Sequence, residues 1–176
     1  MLEILRELLP FQHLSGESLA SLSECFTTVE LATDQNLFVQ GDAADELYIL
    51  ISGQLHLLEG DAVRVHLKPI SVLGELGAVM EGVVRNTTAR AVGPCQVAMI
   101  PRDVLLGFIR NQPAAGVSIL HDLVLLTADK VRRDEQRIVQ MRYNIIRTQK
   151  AMKMLRDEVL SKPESELSDA FHTTLE

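Results

Sequence analysis

The chain has 176 residues, 47% of them hydrophobic and 23% charged, and a net charge of −7. At roughly 150 residues per domain this is one domain with a short surplus, which argues against a multi-domain enzyme, and the balance is globular rather than disordered. No apolar run approaches the roughly 18 residues that a bilayer span needs, and Glu3 and Glu7 stand where a secretory leader carries cations, so the chain reads as cytoplasmic, without a membrane partner.

Residues 1–26 read as helical, with a break near Pro10 and a second start at Ser15, an N-cap with Glu17 in the first turn to complement the helix dipole. Ser18 stands where a full capping box needs Glu or Gln. Leu19, Leu22 and Phe26 share one face. Over residues 27–100 the texture changes to short β-rich runs, TTVEL, NLFVQ, LYILI, QLHLL, VRVHL and CQVAMI, separated by the turn signals GDAAD, SG, EGD and GP. In LLE-GD-AVRV a two-residue connection with Gly60 predicts a tight hairpin. The fold class that follows is α+β, a small antiparallel β-roll or sandwich flanked by N-terminal helices and a long C-terminal helix.

After Pro101 a short helix is expected over 102–110 and a very long one over 114–160. With Val131 as position a of a heptad, the a positions are Val117, Val124, Val131, Ile138, Ile145, Met152 and Val159, and the d positions are Leu120, Thr127, Asp134, Met141, Thr148 and Leu155. A narrow apolar seam with a 3.5-residue period calls for a partner helix, and β-branched residues at a favour two parallel strands. As far as Leu126 a helix lying on its own domain accounts for the pattern, because Leu123, Leu125 and Leu126 add apolar bulk off the seam; beyond it no domain is left to cover. Lys130 at g suits Glu135 at e of a partner, Arg137 and Arg142 repel one heptad later, and Asp134 at d makes residues 130–134 an adjustable segment. Pro163 closes the helix, and Leu167, Phe171 and Leu175 begin another apolar face in the tail.

Charge is uneven. Residues 1–127 hold 7 Lys+Arg and 15 Asp+Glu, residues 128–158 hold 9 and 5, and residues 159–176 hold 1 and 4. The basic residues of the long helix fall at b, c, e, f and g alike and form no single stripe, which favours a solvated coiled coil over a direct nucleic-acid contact. Cys25 and Cys95 have no CxxC pairing and read as two buried reduced thiols. His56 and His66 fall on facing strand runs, yet no third ligand accompanies them, so no metal site is expected. No Ser–His–Asp arrangement is visible and no catalytic residue is assigned.

The informative stretch is VLGELGAVMEGVVRNTTARA, residues 72–91. GELGAVM reads as one helical turn opened by glycines, whose first N–H groups, those of Glu75, Leu76 and Gly77, make an anion site. Ten residues after Glu75 comes Arg85, whose planar fork grips phosphate oxygens, and Asn86 and Thr87 add donors. A carboxylate at Glu75 repels an anion that it touches, so it suits a sugar hydroxyl. Together these groups describe a sugar phosphate.

Gly74-Glu75-Leu76-Gly77 followed by Arg85-Asn86-Thr87 resembles the phosphate-binding cassette of the cyclic nucleotide-binding domain family, the family of the catabolite activator protein and the regulatory subunits of protein kinase A. QGDAADELYILISGQLHLL, with Gly41, Tyr48 and Gly53, is similar to the family's strand–turn–strand, and the likeness covers about residues 10–135. It implies a jelly-roll-like β-roll that buries a cyclic nucleotide, with Arg85 on the cyclic phosphate, Glu75 on the ribose 2′-hydroxyl, and Leu76 and Asn86 around the phosphate. Asn86 and Thr87 replace the usual Ser/Thr and Ala, and Pro69-Ile70-Ser71 stands where Gly-Asp is common, so altered selectivity is expected. Thr127, Lys130 and Val131 are the candidates for contact with the base. Family frequency favours cAMP, and the cassette does not exclude cGMP.

The domains expected are a nucleotide-binding roll with its N-terminal helices over 1–113, a coiled-coil homodimerisation helix over 114–160, and a tail or linker over 161–176. The family's transcription factors continue into a DNA-binding helix-turn-helix. About 16 residues follow Leu160, too few for one. The expected function is a dimeric cyclic nucleotide sensor that passes occupancy through the long helix to an output domain or partner. The alternative is a dimerisation scaffold with a nucleotide-silent site.

Overall fold

The computed structural model describes residues 1–161. Two short helices open the chain, α1 (Leu2–Glu7) and α2 (Gly16–Ser23). Ser15 caps α2 as its sequence predicts, its side chain accepting a hydrogen bond from the Ser18 N–H at 3.1 Å. Eight strands follow: β1 (Thr27–Leu31), β2 (Asn36–Phe38), β3 (Glu46–Ser52), β4 (Leu55–Glu59), β5 (Ala62–Leu67), β6 (Ser71–Leu73), β7 (Thr88–Ala91) and β8 (Cys95–Pro101). They form two four-stranded antiparallel sheets, in the orders β1-β8-β3-β6 and β2-β7-β4-β5. Then come α3 (Arg102–Asn111) and α4 (Pro113–Ser161).

The expected α+β jelly-roll-like architecture is the one observed. Its layering follows from alternation along the two central strands of the first sheet. On β3, Leu47 and Ile49 pack with Ala98 and Ile100 of β8 against α1, α2, α3 and the first turns of α4. Tyr48 and Leu50 of β3, with Val97 of β8, face the second sheet and its Leu55, Ala91 and Leu57. The run LYILI is therefore apolar without a polar face because it is covered on both sides. The β4–β5 hairpin turns at Gly60, φ +57°, and places His56 opposite His66, with Nε2 and Nδ1 2.7 Å apart.

Two strands, β6 and β7, escaped the sequence reading. They have three and four residues, too short for a period-2 signal, and lie inside the glycine-rich stretch read as a cassette. The first helical stretch breaks around Pro10 and restarts after Ser15, as expected, giving α1 and α2. Cys95 is buried and Cys25 only half-buried, both as free thiols, which corrects the expectation that both are buried.

The described chain divides into two compact units, Met1–Ala128 and the residues from Asp129 onward. In the first, α4 turns Ala115, Ile119 and Leu123 into the helical core, as the off-seam leucines predict. Between them Asp122, 1% exposed, accepts hydrogen bonds from His13 Nδ1 at 2.7 Å and His121 Nδ1 at 3.0 Å. In the second unit the a and d residues Val131, Ile138, Met141, Ile145, Met152 and Leu155 are all exposed in the single chain. Asp129 pairs there with Arg132 and Arg133 at i,i+3 and i,i+4, as a solvated helix face does. The tail helix expected around Leu167, Phe171 and Leu175 lies outside the described residues. No helix among the described residues is long and apolar enough to cross a membrane.

Burial pushes the Asp122 carboxyl up, but the hydrogen bonds and charges of His13 and His121 outweigh it and hold the group below its ordinary value. A depressed folded pKa gives stability that is complete above about pH 4 and is lost as pH falls through the lower folded value. In Asp122→Asn that share of the acid-induced loss is expected to vanish, seen as a shallower fall of thermal midpoint as pH drops below about 4.

Candidate functional site

The stretch between β6 and β7 is a tight turn laid over a short strap of chain, residues 41–46. The turn begins at Gly74, φ +79°, and closes with Ala78 N–H donating to Gly74 O at 3.0 Å and Met80 N–H to Leu76 O at 2.9 Å. Within the turn the first N–H to donate is that of Ala78; those of Leu76 and Gly77 precede it. Gly77 lies so close to the strap that a Cβ there would strike the Ala44 carbonyl oxygen. At Gly74 a Cβ would strike the Glu46 carbonyl oxygen and stand 2.5 Å from Arg85 Nη1. Both glycines are steric requirements of the turn's seat on the strap.

The strap in turn holds the end of the stretch. Ala44 N–H donates to Val83 O, Arg85 N–H to Asp42 O and Gly41 N–H to Arg85 O, at 2.8–2.9 Å. Ala43 forms a β-bridge with Val84. Arg102, at the start of α3, donates from Nη1 to Met80 O at 2.9 Å and pairs through Nη2 with Asp45 at 3.2 Å, which fixes the far end of the turn to the same strap.

Arg85 is 4% exposed, one of two buried charged side chains among the described residues. Its Nη2 donates to the Glu46 carboxylate at 2.7 Å and to the Glu46 carbonyl at 3.1 Å. The guanidinium carbon stands 4.5 Å from the Phe38 ring centroid and 5.1 Å from that of Tyr48, a cation–π seat on both rings. Burial, then the charge of Glu46, raises the Tyr48 phenol above its ordinary value, with Arg85 offsetting part of the rise. Nε and Nη1 of Arg85 are buried and have no hydrogen-bond partner. Buried guanidinium N–H groups are costly to leave without acceptors.

Beside the turn lies a cleft of about 380 Å³ within the first unit. Glu75, Leu76, Val79 and Met80 of the turn form one wall, and Leu120, Leu123, Val124, Thr127 and Ala128 of α4 form the other. Thr127 Oγ1 donates to Leu123 O at 2.8 Å along its own helix.

Of the residues selected from sequence, Gly74, Glu75, Leu76 and Gly77 gather in the turn with Arg85 beneath it, and Thr127 reaches the cleft. Asn86 is exposed and Thr87 half-buried, and neither is a partner of Arg85. Lys130 and Val131 belong to the second unit. Sequence reasoning missed Glu46, Phe38 and Ala44: an acid in GDAADEL reads as turn chemistry, and only tertiary contact makes it the counter-charge of an arginine 39 positions away.

A two-sheet roll with a long C-terminal helix, and a glycine turn seated above a buried arginine, defines a regulatory binding domain. Residues 28–112 match the family model of the cyclic nucleotide-binding domain. Over 144 residues the chain is 24% identical to a CRP-like cAMP-activated global transcriptional regulator of Mycobacterium tuberculosis; the alignment takes in 79% of this chain and 62% of the regulator's length. Among solved structures it is similar to Thermus thermophilus catabolite activator protein, with a TM-score of 0.65 and 23% identity over 76% of this chain and 63% of that one. It is also similar to the regulatory domain of Toxoplasma gondii PKA in complex with cAMP, with a TM-score of 0.55 and 24% identity over 61% of this chain and 42% of that one.

Removing the counter-charge tests the seat of Arg85. Glu46→Ala is expected to lower unfolding free energy by about 1.5–3 kcal/mol, the range for hydrogen bonds to charged groups, measured by urea titration with the slope unchanged. Gly77→Ala is expected to lose stability for a different reason, displacement of the turn from Ala44, and so to change the near-ultraviolet circular dichroism as well.

Proposed function

We propose that the chain is a cyclic nucleotide sensor in which the phosphate is held by Arg85 under the Gly74–Gly77 turn, the ribose by Glu75, and the base in the cleft against α4. The observation that carries the reading is the half-satisfied guanidinium. Glu46 takes one nitrogen, while the buried Nε and Nη1 carry three N–H bonds with no acceptor. A charged, hydrogen-bonding anion is the ligand chemistry that satisfies them. Glu75, one residue from the glycine at which a Cβ would strike Nη1, lines the adjoining cleft, so a molecule carrying an anion, a hydroxyl and a flat apolar base suits the sequence of surfaces. We favour cAMP over cGMP: it activates the Mycobacterium tuberculosis regulator and is the nucleotide in the Toxoplasma gondii PKA complex. Leu76, Asn86 and Thr87 supply the remainder of the phosphate surroundings in this reading.

Occupancy passes to α4 by differential binding. Nucleotide favours the arrangement in which the helix around Thr127 closes the cleft, and a two-state equilibrium shifts by the difference in affinity. The exposed a/d seam of the second unit pairs with a second copy of the chain, and the pair of helices carries the change to an output domain or partner. The chain itself is a regulator without catalytic groups, acting in the cytoplasm.

Isothermal titration of stripped protein with cAMP and cGMP in parallel tests the reading. Micromolar or tighter heat is expected for one of them, and Arg85→Ala is expected to weaken it about ten- to a hundredfold, the equivalent of about 1.5–3 kcal/mol. Silence from folded protein would leave the dimerisation scaffold with a silent site as the better reading. Sedimentation equilibrium tests the seam: Ile138→Glu is expected to convert dimer to monomer without unfolding the roll.

A further inference from the structure

Asp122 stands on the face of α4 that is otherwise apolar, between Ile119 and Leu123. A carboxylate at that position has lost its water, and its tolerance depends on both oxygens being bonded. They are: Oδ2 takes a hydrogen bond from His13 Nδ1 at 2.7 Å and Oδ1 from His121 Nδ1 at 3.0 Å. His13 comes from the connection between α1 and α2, so the bond ties the N-terminal helices to α4. A second tie runs in parallel, Ser18 Oγ donating to Gln112 Oε1 at 2.7 Å immediately before α4.

The two kinds of contact do different things. Apolar burial is non-directional, and a helix held by it alone slides or rotates slightly at small cost. A buried carboxylate with two directed bonds has one setting. Within the next turn and a half of the same helix, Leu123, Val124 and Thr127 form the α4 wall of the cleft, across from Glu75 and Met80. All of these residues lie in the first compact unit.

We propose that Asp122 is a positioning residue for the ligand cleft: held by His13 and His121, it sets the height and rotation at which α4 presents Thr127 and its neighbours to the turn. The inference rests on reading that cleft as the nucleotide site. It makes the N-terminal helices, which do not line the cleft, a determinant of its affinity.

The full-length chain is tested as Asp122→Leu, which replaces a buried charge by an apolar side chain of similar size. The histidines it leaves behind have side chains 60% and 68% exposed and return to water, so no buried charge is stranded, and the thermal midpoint is expected to hold while cAMP affinity falls about five- to thirtyfold, within the usual range of coupling between sites. A merely structural role would move the two together. Asp122→Asn, which leaves the shape, is expected to weaken affinity in the same direction and serves if the leucine variant does not fold. His13→Gln is expected to weaken it too, and His13→Gln combined with Asp122→Leu no further than Asp122→Leu alone. Position is read separately without ligand, by spin labels at Met80 and Val124 in a chain whose two cysteines are replaced by alanine: Asp122→Leu is expected to shift or broaden the distance distribution. Unchanged affinity and an unchanged distance in a folded Asp122 variant overturn the proposal. A wild-type chain that binds neither nucleotide, with the distance still shifted by Asp122→Leu, overturns the nucleotide reading and leaves the positioning role standing.

Discussion

A guanidinium taken out of water is the constraint around which this domain is arranged. Arg85 is tolerable inside the roll because Glu46 neutralises it, Phe38 and Tyr48 offer their ring faces, and the strap of residues 41–46 grips its backbone. The same strap receives Gly74 and Gly77, so the turn above the arginine and the arginine itself are set by one piece of chain. That economy explains why side-chain size is so restricted there. A methyl group at either glycine meets backbone, which does not yield as a flexible side chain does.

The scaffold makes this possible by giving the first sheet a core on each face. β3 and β8 send alternate residues to the helices and to the second sheet, which leaves Glu46, at the β3 start, anchored where the strap ends. α4 borders both the helical core and the cleft: Ala115, Ile119 and Leu123 belong to the core, and Leu120, Val124 and Thr127 line the cleft. The helix is thus a shared wall rather than an appendage.

Much of this was legible in sequence, and the residues show why. The β-rich runs TTVEL and CQVAMI, the Gly60 hairpin and the Ser15 cap are local signals, and they predicted elements that the fold contains. The glycine turn and Arg85 were legible because their spacing is itself the chemistry. Glu46, Asp45 and Asp122 were not, since an acidic residue carries no mark of its partner until the chain brings an arginine or histidine to it. β6 and β7 were hidden by their brevity. Asn86 and Thr87 were selected as further donors to a phosphate because they follow Arg85, and the structure leaves Asn86 exposed and Thr87 half-buried.

The strap and the turn lie on opposite sides of the Gly60–Asp61 hairpin loop, where Gly60 has open space around it. A chain divided at that loop carries Glu46 and Ala44 on one fragment and Gly74, Gly77 and Arg85 on the other. Neither piece alone can house the arginine, since one lacks the charge and the other its counter-charge. The seat of the guanidinium is therefore made only where the two halves of the roll meet.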